Sequence, residues 1–155
     1  MINHLYVASV VHSTSTDGVG LRNALYVSGC NIKCPKCHNK EYWDIYAGQK
    51  RSIESVYDEL NEDEFNISIL GGEPLMQYEG VLQLCKMIKE RTTKTIWLWS
   101  GHCLEEIKKL YPEILKYIDV LVDGPFQEDK YEPNLQWRGS TNQRVINISD
   151  IKETF

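Results

Sequence analysis

Five short runs of β-branched and aromatic residues recur along the chain, and amphipathic stretches separate most of them. The runs, each of which predicts a strand, are Ala24–Ser28, Asn66–Leu70, Thr95–Trp99, Asp119–Val122 and Arg144–Ile148. Their nearly continuous apolar character is typical of strands that are covered on both faces. Because helical patterns alternate with these runs, the sequence predicts an α/β fold with a mainly parallel sheet.

Three helical patterns lie between the predicted strands. The first follows Ser52, a residue type suited to cap a helix N-terminus, and extends to about Leu60. The second spans about Glu79–Arg91, and the third begins near Leu104 and ends before Pro112. Each pattern has apolar residues at core spacing along one stripe, so we expect the helices to pack against the sheet.

The length of the chain limits the architecture that such a sheet can adopt. A closed eight-stranded α/β barrel typically needs roughly 250 residues, whereas this chain has 155. We therefore predict a single domain over residues 1–155, with a core from about residue 24 to residue 148, built as a partial (βα) barrel or an open sheet. In either form, ligands bind at the carboxyl ends of the strands.

Charge and composition argue against several classes of function. The formal net charge is -5 and the isoelectric point is about 5.4, so no basic surface for nucleic acid is expected. No stretch approaches the roughly 18 to 20 apolar residues of a membrane span, and the N-terminus lacks a signal-peptide pattern. Three of the five cysteines fall close together, which favours a metal or redox site in a reducing cytoplasm over a disulfide framework. We therefore expect a cytoplasmic protein without nucleic-acid or membrane partners.

Special residues follow four of the predicted strands, at the point where each strand ends. Cys30 follows the first strand, Gly71-Gly72-Glu73-Pro74 the second, Ser100-Gly101 the third and Asp123-Gly124-Pro125 the fourth. Because the carboxyl ends of parallel strands meet at one edge of a sheet, we expect these segments to form one shared site.

Cys30, Cys34 and Cys37 lie in one short polar loop after the first predicted strand. Thiolates are soft ligands that suit iron–sulfur clusters and zinc. A complete [4Fe-4S] cluster normally takes four cysteines, so three thiolates would leave the fourth iron open to another ligand. An open position of this kind is typical of a catalytic metal site.

Two other interpretations use the same cysteines. A zinc site would need a fourth ligand, for which His38, Cys85 and Cys103 are candidates, although none of them lies at the usual spacing. A thiol redox centre would use Cys34 and Cys37 at a helix start, although the residues that follow have poor helical periodicity. The iron–sulfur interpretation is favoured, and both alternatives stay open.

The Cys-x3-Cys-x2-Cys spacing, together with Gly71-Gly72-Glu73-Pro74 at the end of the next strand, resembles the radical S-adenosylmethionine (radical SAM) superfamily. The resemblance implies a partial (βα) barrel of radical SAM type, with a [4Fe-4S] cluster on Cys30, Cys34 and Cys37. It also implies S-adenosyl-L-methionine as cofactor, with its amino and carboxylate groups on the open iron. In that superfamily, one electron from the cluster breaks a carbon–sulfur bond and gives methionine and a 5′-deoxyadenosyl radical.

The same resemblance implies a set of cofactor-binding residues. They are Lys36, His38, Gly71, Gly72, Glu73 and Ser100. The Gly-Gly-Glu segment would receive the cofactor's amino group, and the serine would contact the ribose. Adenine would rest near Lys36 and His38, because the superfamily's frequent aromatic residue before the third cysteine is here Lys36. No side chain is assigned as a general acid or base, because the adenosyl radical transfers the hydrogen.

Three further segments resemble the glycyl-radical activating enzymes within this superfamily. They are Asp17–Arg22, Cys37-His38-Asn39 with Trp43 following, and Trp137–Arg144. The last is similar to a segment of the small activases of anaerobic ribonucleotide reductase. The resemblance implies anaerobic ribonucleoside-triphosphate reductase as the protein substrate that receives a glycyl radical. It also implies a flavodoxin or ferredoxin as electron donor.

Alternatives remain for the function and for single residues. A small radical SAM enzyme that acts on a small molecule, similar to 7-carboxy-7-deazaguanine synthase, is one alternative, and a non-catalytic zinc or thiol module is another. Arg138 and Arg144 are weighed evenly between surface charge and a role in holding cofactor or partner backbone. Cys85 lies on a core stripe and is expected to be buried and inert, and Asp123 is a candidate cap for the turn that follows it.

Overall fold

The computed structural model of the chain describes residues 2–30, 32 and 43–151. Within these residues, seven strands form one sheet. They are β1 (His4–Thr14), β2 (Arg22–Val27), β3 (Gln49–Ser52), β4 (Asn66–Gly71), β5 (Ile96–Trp99), β6 (Val120–Asp123) and β7 (Arg144–Asn147). Their order across the sheet is β3-β1-β2-β4-β5-β6-β7.

The centre of the sheet is parallel and its two sides are antiparallel. Strands β2, β4, β5 and β6 pair in parallel, whereas β1 pairs antiparallel with β2 and β3, and β7 pairs antiparallel with β6. This arrangement confirms the predicted α/β class and the parallel centre of the sheet, whereas the three outer strand pairs are antiparallel, so the described sheet is mixed rather than mainly parallel. All five predicted strands are present within two residues of their expected ends. Strands β1 and β3 were not predicted from the sequence, and they extend the sheet beyond β2.

Three α-helices connect the strands in the described part of the chain, and all three were predicted. They are α1 (Ile53–Leu60), α2 (Tyr78–Arg91) and α3 (Leu104–Leu110). The hydroxyl of Ser52 accepts a hydrogen bond from the backbone N–H of Ser55 at 3.1 Å, so Ser52 caps α1 as expected. Across residues 2–30, 32 and 43–151, no helix has the length and apolar character needed to cross a membrane.

The hydrophobic core lies between the three helices and one face of the sheet. Alternate strand residues such as Leu25, Ile69 and Leu98 are fully buried there against helix residues such as Leu84 and Ile88. Both faces of the central strands are buried as predicted, and the helices of the described residues cover this face. The opposite face of the sheet contains buried polar side chains.

A buried arginine organises that opposite face. The guanidinium of Arg22 donates through Nε to the hydroxyl of Ser68 at 2.9 Å and through Nη2 to the carbonyl of Ile67 at 2.8 Å, and it lies 5.6 Å from the Trp97 ring centroid. Burial lowers its pKa to about 10. Ser68 also donates to the backbone carbonyl of Asp17. These bonds hold the segment 17–22 against the sheet.

Candidate functional site

A cavity of about 380 Å³ lies at the carboxyl ends of β2, β4, β5 and β6. Its lining includes Cys30 after β2, Gly71-Gly72-Glu73 at the end of β4, Ser100-Gly101 after β5 and Gly124 after β6. The prediction that these four strand ends meet at one site is therefore confirmed. The volume falls within the roughly 300 to 1,000 Å³ that is common for small-molecule sites.

The end of β4 lies against the end of β2, and glycine makes this approach feasible. Gly71 has a φ of +119°, and a Cβ at this position would lie 2.4 Å from the carbonyl oxygen of Val27. The N–H of Gly72 donates to the same oxygen at 2.9 Å, and the N–H of Glu73 donates to the carbonyl of Gly29 at 2.7 Å. The Gly-Gly-Glu segment is thus hydrogen-bonded to Gly29, the residue that immediately precedes Cys30.

The side chain of Glu73 is buried and already engaged by the protein. Its Oε1 accepts from the N–H of Gly101 at 2.6 Å, and its Oε2 accepts from the hydroxyl of Ser100 and the N–H of Leu75, both at 2.9 Å. Burial raises the pKa of Glu73, and the N–H groups of Leu75 and Gly101 act against this increase. The hydroxyl of Ser100 in turn accepts from the N–H of His102 at 3.0 Å. Glu73 therefore joins the ends of β4 and β5.

Gly101 provides space for the cysteine loop. A Cβ at Gly101 would lie 2.8 Å from Cγ1 and 3.0 Å from Cγ2 of Ile32, which is two residues after Cys30. Since real Cβ contacts are almost never this short, any side chain at position 101 would displace Ile32. The end of β5 and the start of the cysteine loop are therefore in direct contact.

Cys30 is the cluster-ligand candidate that the structure describes. Its exposed fraction is 7%, and its backbone N–H donates to the carbonyl of Trp43 at 3.0 Å. Cys30 and Trp43, which flank the segment 31–42 in the sequence, therefore lie close together. Cys34, Cys37, Lys36 and His38 belong to this segment and lie outside the described residues.

The other two cysteines are not among the residues that line the cavity. Cys85 is fully buried in the core between the helices and the sheet, where burial raises the pKa of its thiol to about 12, as expected for an inert residue. Cys103 is the N-cap residue of α3, and its thiol donates to Glu106 at 3.2 Å. Neither residue lines the cavity beside Cys30. Complete burial in the core disfavours Cys85 as a fourth ligand for zinc.

Aromatic residues that were not predicted as site residues form one wall of the cavity. Trp99, Phe126, Tyr131 and Trp137 contribute to it. The indole N–H of Trp99 donates to the carbonyl of Trp137 at 2.6 Å, and the Trp137 ring packs edge-on against Trp97, with 5.0 Å between ring centroids. Alternation along β5 could have placed Trp97 and Trp99 on the face opposite Leu98. The position of Trp137 depends on contacts far along the chain.

The structure assigns different environments to the two C-terminal arginines. Arg144 pairs with the buried carboxylate of Asp123 and with Glu105, at 2.8 Å for the latter. Asp123 also accepts from the N–H of Leu104 at 2.7 Å, so it caps the start of α3 rather than the turn that follows Asp123. Arg144 therefore connects β7 with the end of β6 and with α3. Arg138 lines the cavity.

Comparisons with known proteins identify the relatives of this chain. Residues 16–146 match the family described as a 4Fe-4S single cluster domain. The anaerobic ribonucleoside-triphosphate reductase-activating protein of Escherichia coli K12 is 38% identical over 141 residues, which cover 85% of this chain and 92% of that protein. The protein of the same name from Vibrio cholerae is 38% identical over 138 residues, covering 83% and 89%. That from Enterobacteria phage T4 is 37% identical over 145 residues, covering 86% and 88%.

The chain belongs to the family of anaerobic ribonucleoside-triphosphate reductase-activating proteins. The resemblance to the activating proteins of anaerobic ribonucleotide reductase is thereby confirmed. Membership in this activating-protein family, with its single 4Fe-4S domain, supports an iron–sulfur cofactor over a zinc or thiol centre.

The described residues fit such a cofactor. Cys30 supplies a thiol at the edge of the cavity, and the glycine at position 101 leaves room for Ile32, two residues after Cys30. Cys30, Cys34 and Cys37 would hold the cluster, and the cavity beside Cys30 offers space for a ligand at an open iron.

Proposed function

We propose that the chain is a radical SAM activating enzyme. It would bind a [4Fe-4S] cluster through Cys30, Cys34 and Cys37 and cleave S-adenosyl-L-methionine reductively. The resulting 5′-deoxyadenosyl radical would abstract a hydrogen atom from a glycine of anaerobic ribonucleoside-triphosphate reductase. Membership in the activating-protein family and the cavity shared by four strand ends support this proposal.

The single observation that carries the proposal is the junction of Cys30 with the Gly-Gly-Glu segment. The Glu73 N–H to Gly29 carbonyl bond of 2.7 Å brings the two motifs to the same edge of one cavity. A ligand in this cavity would contact the first cysteine and the Gly-Gly-Glu segment together. When bound, the cluster would supply the electron that breaks the carbon–sulfur bond.

The protein's own residues would position the cofactor. The two oxygens of a carboxylate offer about four acceptor positions, and three donors already occupy positions on Glu73. One acceptor position would remain for the cofactor's ammonium group, beside the backbone oxygens of Gly71 and Gly72. Ser100 would accept from a ribose hydroxyl, and adenine would rest near Lys36 and His38.

The overall architecture is compatible with a protein substrate. We propose that the sheet forms the partial (βα) barrel of the radical SAM type, whose incomplete wall would admit a glycine-bearing loop of the reductase. A flavodoxin or ferredoxin would deliver the electron. In this arrangement the aromatic wall at Trp99 and Trp137 would exclude water from the reacting atoms.

Cofactor cleavage is the first test. The protein would be reconstituted anaerobically with iron and sulfide, reduced in the presence of S-adenosyl-L-methionine, and assayed for 5′-deoxyadenosine. We expect product from the wild type and none from Cys30→Ala, Cys34→Ala or Cys37→Ala. Cys103→Ser is the matched control, because serine is a favourable N-cap residue and Cys103 does not line the cavity. A fully loaded wild-type cluster without cleavage would refute the proposal.

A second experiment separates the activase from the small-molecule alternative. Electron paramagnetic resonance would be recorded after the reduced protein is mixed with the reductase and S-adenosyl-L-methionine. A glycyl signal on the reductase is expected for an activase. Cofactor cleavage without that signal would instead favour an enzyme similar to 7-carboxy-7-deazaguanine synthase.

A further inference from the structure

One wall of the cavity is a loop formed by residues 131–140. A β-bridge between Tyr131 and Ser140 closes the loop, and the N–H of Glu132 donates to the carbonyl of Gly139 at 3.2 Å. The side chain of Gln143 accepts from the N–H of Gly139 at 2.8 Å and donates to the carbonyl of Gly124 at 2.9 Å. These bonds hold the loop against the end of β6.

The backbone of this loop adopts an uncommon conformation next to Arg138. Trp137 has a φ of +65°, which lies in the left-handed region and is costly for a bulky residue. The hydrogen bond from Trp99 and the ring contact with Trp97 keep it there. The conformation is therefore maintained by long-range contacts, and it sets the course of the chain where Arg138 joins the cavity wall.

Among the residues that the structure describes, Arg138 has no hydrogen-bond or ion-pair partner in its position at the cavity. Its Nε is buried and has no hydrogen-bond partner, and no ion pair involves its guanidinium in the described part of the chain. Among the described residues that line the cavity, it is the only lysine or arginine. Arg144, six residues later, differs because Asp123 and Glu105 satisfy it. A partly buried guanidinium without an anion is unfavourable, so a negatively charged ligand group at this position would be stabilised.

The acidic side chains that line the cavity indicate which other charges a bound ligand would carry. Asp17, Glu73 and Glu132 also line it, and each carboxylate accepts at least one hydrogen bond within the protein, from Tyr26, Gly101 and Asn134 respectively. Three acidic groups would repel a purely anionic ligand. They would favour a ligand that carries positive groups as well as one carboxylate.

We propose that Arg138 binds the carboxylate of a zwitterionic, amino-acid-type ligand in this cavity. The inference rests on the proposed function, under which that ligand is S-adenosyl-L-methionine, with its sulfonium, ammonium and single carboxylate. A guanidinium matches a carboxylate through two parallel N–H···O bonds, which a lysine cannot reproduce. Arg138 thus adds a recognition group that lies more than sixty residues beyond the Gly-Gly-Glu segment in the sequence.

The test compares two ligands that differ in the carboxylate. Equilibrium dialysis of the cluster-loaded protein would measure the Kd of S-adenosyl-L-methionine and of decarboxylated S-adenosylmethionine. For Arg138→Ala we expect the Kd of S-adenosyl-L-methionine to rise by about 10- to 100-fold, with no change for the decarboxylated ligand. Arg138→Lys should give an intermediate loss. Arg91→Ala is the control, because Arg91 is exposed, pairs with Glu54 and does not line the cavity.

The outcomes distinguish this inference from the proposed function. An Arg138→Ala protein that binds S-adenosyl-L-methionine as the wild type does would overturn the role of Arg138 alone. Equal losses for both ligands would also overturn it, because they would indicate a structural effect. A wild type that binds neither ligand would overturn both proposals. Carboxylate-dependent binding without 5′-deoxyadenosine formation would uphold the role of Arg138 and refute the proposed reaction.

Discussion

The carboxylate of Glu73 accepts a hydrogen bond from the hydroxyl of Ser100 at 2.9 Å, and this bond joins the ends of two adjacent parallel strands. Both residues are candidates for cofactor binding, and each is also part of the framework that shapes the cavity. The N–H of Glu73 additionally donates to Gly29, so the same residue connects three strand ends. Substitutions at Glu73 should therefore affect folding as well as cofactor binding.

Glu73→Gln should destabilise the protein even without cofactor. The two carboxylate oxygens accept from Gly101 on one side and from Ser100 and Leu75 on the other. In either orientation the glutamine amide would place its NH2 group against a backbone N–H. We expect a loss of about 1–3 kcal/mol in the free energy of unfolding, measured by urea denaturation. Glu90→Gln, an exposed change near the end of α2, is the control and should have little effect.

Gly101→Ala should displace the cysteine loop. The added Cβ would lie 2.8 Å from Ile32, so the loop must move, and we expect less iron bound after anaerobic reconstitution. The double variant Gly101→Ala with Ile32→Ala removes the two γ-carbons of Ile32 and should recover much of the bound iron. Failure of the second substitution to restore iron would mean that the contact does not control the loop.

Trp99→Phe should weaken the attachment of the 131–140 loop. Phenylalanine keeps an aromatic ring but removes the N–H that donates to Trp137. The lost bond should lower the free energy of unfolding by about 0.5–1.5 kcal/mol, and binding of S-adenosyl-L-methionine should also weaken because Arg138 belongs to this loop. Urea denaturation and equilibrium dialysis would measure the two effects. Unchanged values in both would contradict the role assigned to this bond.

Acidification should remove the contribution of the Arg144–Glu105 pair. The hydrogen bond from Arg144 lowers the pKa of Glu105 from 4.5 to about 2. Because the folded-state pKa is depressed, the stabilisation is complete above about pH 4.5 and is lost as the pH falls towards 2. Both side chains are largely exposed, so the effect is small and decreases with salt.

The measurement is the difference in unfolding free energy between wild type and Glu105→Gln, compared at pH 7 and pH 3. We expect a smaller difference at pH 3. An equal difference at both values would show that the glutamate stabilises α3 by some means other than its charge.

Local patterns of apolar residues predicted the strands and helices that have a buried face of their own. Continuous apolar runs marked β2, β4, β5, β6 and β7, and apolar stripes marked the three helices, because burial repeats with the period of each element. Strand β3 could not be predicted in this way. Its residues, Gln49–Ser52, are polar and mostly exposed, and they form a strand because they pair with the start of β1.

The sequence by itself determined the chemistry available to this protein: the cysteine spacing, the Gly-Gly-Glu-Pro segment, and their positions after predicted strands. Only the tertiary structure decided which partner each polar group has. Glu73 meets Ser100 and Gly101 across two strand ends, and Arg144 meets Asp123 while Arg138 is left facing the cavity. Hydrophobic periodicity reports whether a residue is buried. The identity of its neighbour depends on strand order and loop closure, which bring distant segments together.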